Sequence, residues 1–167
     1  MAKYRSMAKE YIKHSWLGAS LRFDARKPIR ASLREKMKDV YIYDSIRTPR
    51  GKGRKDGALH EVSALSLSVT AIDAIAGRNG LEGHAVEDVI WGNVTQVGEQ
   101  GACLARTAVL ASQLDESIPG LSINRFCASG LESVNLAANQ IGGGSGDSYI
   151  AGGVESMSRT PMMSAGG

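Results

Sequence analysis

Two cysteines, Cys103 and Cys127, and three histidines, His14, His60 and His84, are the residues of this chain best suited to nucleophilic or metal chemistry. Two cysteines are too few for a disulfide framework, and their spacing matches no zinc-binding pattern. What sets Cys127 apart is its neighbourhood, Ser122-Ile123-Asn124-Arg125-Phe126-Cys127-Ala128-Ser129-Gly130-Leu131-Glu132-Ser133. An apolar strand-like run ends there and an amphipathic helical pattern begins. The sequence therefore predicts Cys127 at a strand-to-helix junction, in the first turn of the helix. Free N–H groups and the positive end of the helix dipole favour a thiolate at such a point. The same donors stabilise the oxyanion of an acyl-transfer intermediate. Ala128, Ser129 and Gly130 are small and leave room for a carbonyl to approach. The pattern is similar to a nucleophile elbow, although G-x-S-x-G itself is absent. The ordinary alternative is a packed cysteine. Cys103, just ahead of Leu104 and followed by no small-residue pocket, reads as that structural kind.

Strand and helix signals alternate along the body of the chain. Val40-Tyr41-Ile42-Tyr43 reads as a first strand, followed by a basic loop, Arg47 to Gly57, whose Pro and Gly exclude regular structure. Leu65, Val69, Ile72 and Ala76 recur at helical spacing, with Gly77 and Gly80 at the exit. Residues 86–94 give a second strand, and Leu104, Ala108, Val109 and Ala111 mark a second helix. Residues 121–126 give a third strand. Leu131, Val134, Ala138 and Ile141 give a third helix, closed by Gly142-Gly143-Gly144. Tyr149 to Val154 is the fourth strand. The order βαβαβαβ predicts an α/β fold with a mostly parallel sheet covered by helices, each crossover right-handed. The short, continuously apolar strands suit a sheet buried on both faces.

The bulk composition fits that reading. Of the 167 residues, 43% are hydrophobic and 22% charged, an ordinary globular balance. The net charge of +3 is unevenly spread. Residues 1–36 hold ten Lys/Arg against three Asp/Glu, and residues 37–167 hold ten against fourteen. The body is thus mildly acidic, and nucleic-acid binding does not follow from the total. No apolar run approaches the roughly 20 residues of a membrane-spanning helix, and the N-terminus lacks the apolar core of a secretory signal. A reducing, cytoplasmic setting is expected, with a mitochondrial or other organellar one as the lesser reading of the basic leader. Residues 1–36 are expected to be a poorly ordered leader or upstream extension, with Met37 as the natural start and residues 37–167 as the folded domain.

Four segments in order resemble the thiolase family. Asn124-Arg125-Phe126-Cys127-Ala128-Ser129-Gly130-Leu131 is similar to the stretch around the family's acyl-accepting cysteine. Arg47-Thr48-Pro49-Arg50-Gly51 resembles R-T-P-x-G, Ala105-Arg106-Thr107-Ala108 resembles A-R-x-A, and Ala151 to Ser158 resembles A-G-G-x-E-S-M-S. The resemblance covers residues 37–167 and leaves the leader out. It implies the first part of the thiolase N-terminal domain. It also implies a coenzyme A-dependent acyltransferase that cleaves 3-ketoacyl-CoA, or condenses two acyl-CoA, through an acyl-enzyme on Cys127. Coenzyme A thioesters would be substrates, with no bound cofactor and no metal. The complete enzyme would be a homodimer or homotetramer in fatty acid metabolism.

The departures are as informative. The family's activating histidine and second, acid/base cysteine lie in G-H-P and C-x-G-G motifs, and neither motif occurs here. His14 falls in the leader, and His60 and His84 read as exposed loop residues. The chain alone is therefore expected to carry a nucleophile without its base and to show no turnover. A ketoacyl synthase relative would share the strand-to-helix cysteine, but R-T-P-x-G and E-S-M-S favour thiolase. A non-catalytic thiolase-like lipid-binding or scaffold relative is the alternative from another class, and the intact Cys127 argues against it. The glycine stretches at 98–101 and 142–146 fit no phosphate-binding pattern. The basic run 52–55 reads as a solvated loop, and Glu155, after the last strand, reads as a neighbour of the site.

Overall fold

The computed structural model describes residues 37–81 and 85–166. Three parallel strands form one sheet in the order β2-β1-β3, with β1 spanning Asp88–Gly92, β2 Gly120–Ile123 and β3 Tyr149–Gly153. The register pairs Val89 with Gly120 and Trp91 with Ser122 on one side of β1, and Val89 with Ile150 and Trp91 with Gly152 on the other. Helices α1 (Ala64–Asn79), α2 (Leu104–Ala111) and α3 (Ser129–Gly142) connect and cover the strands. Among the described residues no helix is long and apolar enough to cross a membrane.

Helix α1 starts where Ser63, in extended conformation, accepts a hydrogen bond from Ser66 N at 3.0 Å. It stops at Gly80, whose φ of 60° is the left-handed turn that glycine takes without strain. The line it buries is Ala64, Ser68, Ile72 and Ala76, so Leu65 and Val69 from the expected stripe fall on its half-buried flank. Ser68 tolerates full burial because its hydroxyl donates to Ala64 O at 2.8 Å and accepts from Trp91 Nε1 at 3.1 Å. Val89 and Trp91 of β1 join Ile72, Ala105, Ala108 and Val109 in the main core. In α2 the inward residues are Leu104, Ala105, Ala108 and Val109, with Ala105 in place of the expected Ala111, which is exposed.

The other face of the sheet takes α3, and here the expected apolar stripe is displaced. Ser129, Ser133, Ala137 and Gly142 are the buried residues, whereas Leu131 is 65% exposed. Small side chains bring the helix close against the strands. A Cβ on Gly92 would stand 2.4 Å from the Ser129 carbonyl carbon and 2.6 Å from Gly130 N. Ser133 Oγ lies 2.8 Å from Gly152 O and satisfies that buried polar line.

The first expected strand is not formed. Residues 40–43 adopt neither helix nor strand, and Tyr41, Ile42 and Tyr43 are 79%, 79% and 91% exposed. Their side chains suit a strand, but a strand also needs a backbone ladder. The free edge of β3 is the nearest one, and residues 40–46 face it across a groove of about 390 Å³ lined also by Ile72, Ile75, Val134 and Ala138. The segment is held at its ends instead. Lys38 N donates to Gly142 O, and Asp44 accepts from Arg78 and Asn79. The parallel α/β architecture stands, with three strands among the described residues in place of the four expected.

Candidate active site

Strand β2 ends beside the end of β1, where Asn93 N donates to Ile123 O at 2.9 Å. The chain then makes one compact turn before α3. Asn124 Oδ1 accepts from Phe126 N at 2.8 Å, an Asx turn. Phe126 takes a φ of 47°, a left-handed conformation uncommon for a residue with a Cβ. Ala128 N and Ser129 N close the turn onto Arg125 O and Phe126 O. Ser129 Oγ locks it further, accepting from Arg125 N at 2.8 Å and donating to Phe126 O at 2.7 Å. Over this turn Arg125 Nη2 pairs with Glu132 Oε1 at 2.8 Å.

Cys127 sits on the outside of that turn, exposed to solvent. The helix begins at Ser129 with Ala128 as its N-cap, so Cys127 lies just ahead of the first turn rather than within it. No side chain caps α3, and among the described residues the N–H groups of Gly130 and Leu131 have no acceptor. Two donors are thus free in the first turn of α3, as expected for a helix start. Among the described residues nothing donates to or accepts from Cys127 Sγ, so the structure supplies it with no base.

The other cysteine has hydrogen-bond partners, its thiol donating to a carbonyl and a hydroxyl. Cys103 is half-buried at the N-cap of α2, with Sγ 3.2 Å from Gly120 O and 3.7 Å from Ser122 Oγ. Burial opposes its ionisation, but the Arg106 backbone and the Ser122 hydroxyl and backbone outweigh that and hold the thiol below its ordinary value. Cys103 is thus a packed, hydrogen-bonded thiol whose ionisation is eased by a partner from another segment. That partner is Ser122, one pleat along a neighbouring strand and invisible at Cys103's own position in sequence.

His60 is half-buried, and its backbone carbonyl accepts from Arg159. Among the described residues it makes no hydrogen bond or ion pair with the Cys127 turn. His14 and His84 lie outside the described residues, as do residues 1–36. Among the described residues no group of three His, Cys, Asp or Glu side chains is placed to hold a metal ion. The Arg47 to Gly51 segment is brought to no hydrogen bond or ion pair with the Cys127 turn, again among the described residues.

Glu155 is a neighbour of the site by way of the backbone. Its carboxylate accepts from Val94 N at 2.8 Å, Thr95 N at 3.2 Å and Gln100 Nε2 at 2.9 Å. Fully buried Gln100 in turn accepts from Ser156 N at 2.6 Å and donates to Thr95 O at 3.0 Å. Asn93 Nδ2 donates to Val154 O. The loop after β1 and the loop after β3 are therefore one hydrogen-bonded unit beneath the Cys127 turn. Asn93, Gln100 and Asn124 carried no role in the sequence reading. The Asx spacing of Asn124 to Phe126 was the one local signal for any of them.

The last motif is pinned separately. Arg159 Nε reaches both Glu99 oxygens at 2.8 and 2.9 Å, and Glu99 also accepts from Ala64 N at the start of α1. The Arg159 hydrogen bond holds the Glu99 carboxyl below its ordinary value of 4.5. A carboxyl lowered in the folded state stabilises fully above its unfolded value and loses that contribution as pH falls through its folded value. Thermal unfolding followed below about pH 4.5 should therefore show a shallower acid-side loss of stability in Glu99→Gln than in the parent chain. Identical acid limbs would show that the pair contributes nothing.

Comparison with known proteins gives the arrangement its relatives. The family model described as "Thiolase, N-terminal domain" matches residues 40–166. The chain belongs to the thiolase family. A 3-ketoacyl-CoA thiolase of Colwellia psychrerythraea is 44% identical over 128 residues, covering 76% of this chain and 33% of that protein. A beta-ketoadipyl-CoA thiolase of Pseudomonas putida is 43% identical over 128 residues, covering 76% and 32%. The crystal structure of the Bacillus anthracis acetyl-CoA acetyltransferase superposes with a TM-score of 0.59 at 39% identity, covering 63% of this chain and 26% of that one. The chain thus spans about a third of the length of these curated relatives. Its thiolase fold, in the described part, is the parallel sheet with helices on both faces.

Proposed function

We propose that the chain forms the nucleophile-bearing N-terminal part of a thiolase that transfers acyl groups between coenzyme A and 3-ketoacyl-CoA thioesters. The observation that carries this reading is an exposed Cys127 on a strained strand-to-helix turn beside two unpaired helix amides. In the proposed reaction the Cys127 sulfur attacks the 3-keto carbonyl, and its thiol proton passes to a base. The Cα–Cβ bond then breaks, acetyl-CoA leaves after its α-carbon is protonated, and the shortened acyl group stays on Cys127 as a thioester. A second coenzyme A thiol attacks that thioester and regenerates the cysteine. In this reading the uncapped N–H groups at the start of α3 are candidate donors to the oxyanion that forms in each step.

The sequence holds neither the G-H-P nor the C-x-G-G motif, so the base and the α-carbon acid/base belong to a longer polypeptide in this reading. The complete enzyme is proposed to be cytoplasmic and a homodimer or homotetramer. β2 lies at one edge of the sheet with Leu121 38% exposed, a surface on which a second copy would pair. The test of the nucleophile is direct. Full-length enzyme is mixed with acetyl-CoA and no acceptor, quenched in acid and mapped by peptide mass spectrometry. The acetyl group should lie on the peptide containing Cys127. An acetyl group on Cys103, or none on either cysteine, would overturn the proposal.

A further inference from the structure

The turn that carries Cys127 is strained, and little outside itself holds it. Of the hydrogen bonds and ion pairs that residues 124–128 make among the described residues, all but one stay within residues 124–132. The exception is Asn124 Nδ2, which donates to Val94 O at 3.0 Å. The same side chain's Oδ1 takes the Phe126 N–H at 2.8 Å, next to the residue's φ of 47°. Val94 is itself fixed, because its N–H donates to Glu155 at 2.8 Å. One exposed amide therefore ties the turn to the loop after β1, and a carboxylate from the loop after β3 anchors that loop in turn.

We infer that Asn124 is a positioning residue for the nucleophile: by bridging Val94 O to Phe126 N it holds Phe126 in the left-handed conformation that places Cys127 against the open start of α3. The inference rests on Cys127 being the nucleophile. Phe126 is 77% exposed, so no side-chain packing compels its unusual φ; Ser129 holds its carbonyl, and the Asn124 bridge is what holds its N–H. Without the bridge, Phe126 relaxes to a negative φ and Cys127 is no longer held at its place ahead of α3. Because Asn124 is exposed, truncating it removes no core packing.

The experiment alkylates the purified 167-residue chain with iodoacetamide at fixed pH and reads each cysteine's rate separately by mass spectrometry. In the parent chain Cys127 should react faster than it does in urea. In Asn124→Ala its rate should fall by about fivefold or more, while Cys103, held by Gly120 and Ser122, stays within about twofold and reports an intact sheet. Adding Phe126→Gly to Asn124→Ala should restore most of the lost rate, because glycine adopts positive φ without a tether. An unchanged Cys127 rate in Asn124→Ala, a double variant as slow as the single one, or a parallel change at Cys103 would each overturn the inference. A parent chain whose Cys127 reacts no faster folded than in urea would overturn it together with its premise. An acetyl adduct on Cys127 in the full-length enzyme with unaltered alkylation in Asn124→Ala would overturn the inference alone.

Discussion

Cys127→Ala in the full-length enzyme should lower kcat for thiolysis of acetoacetyl-CoA by at least about 10⁴-fold, the scale on which removing a covalent nucleophile acts. The loss should be chemical and not structural. Cys127 is exposed and its sulfur has no partner among the described residues, so thermal unfolding should shift by less than about 0.5 kcal/mol in stability, as for other surface changes. Cys103→Ala is the matched control. It removes a half-buried thiol bonded to Gly120 O and Ser122, which should cost about 1 kcal/mol of stability and leave turnover within a few-fold. Steady-state kinetics on the two variants, read beside their melting curves, separates the roles. Turnover that survives in Cys127→Ala and vanishes in Cys103→Ala would transfer the chemistry to the polarised thiol at the start of α2.

Gly92→Ala should destabilise the fold by about 3 kcal/mol, at the upper end of overpacking effects. The added methyl meets backbone and not a movable side chain: Ser129 C at 2.4 Å, Gly130 N at 2.6 Å and Ser129 O at 2.6 Å. Strand β1 cannot yield, since it pairs on both sides, so the start of α3 must lift off the sheet. Urea unfolding should show a lower midpoint, and the displaced helix start should also slow alkylation of Cys127. Gly77→Ala is the contrasting case. Gly77 lies exposed within α1 with nothing within 4 Å of an added Cβ, so the same substitution should stabilise by about 0.5–1 kcal/mol through helix propensity. Equal effects at the two glycines would show that contact with α3 does not decide the outcome.

Both expectations join fold to chemistry at one place, the meeting of β1, β2 and α3. Gly92 lets the helix start approach the sheet, Asn124 ties the intervening turn to Val94, and Glu155 fixes Val94 from the loop beyond β3. The two motif segments around Cys127 and Glu155 are 28 residues apart in sequence and are connected through a loop that neither contains.

The alternation of strands and helices from residue 64 onward, the strand-to-helix position of Cys127 and the family are legible in the order of residues. Those features are local. Residue type, spacing and capping residues such as Ser63 and Gly80 act within a few positions of the chain. The remaining features depend on contacts between distant segments. Residues 40–43 have strand-like side chains but no ladder, because pairing depends on an edge elsewhere in the fold. In α3 the small residues Ser129, Ser133 and Ala137 face the sheet and Leu131 faces solvent, because how closely a helix approaches its sheet depends on Gly92, 37 positions earlier. The polarisation of Cys103 depends on Ser122 in β2, and the support of Cys127 depends on Asn124, Val94 and Glu155 together. A hydrogen bond needs its partner within about 3 Å, and only the folded chain brings partners from separate segments to that distance.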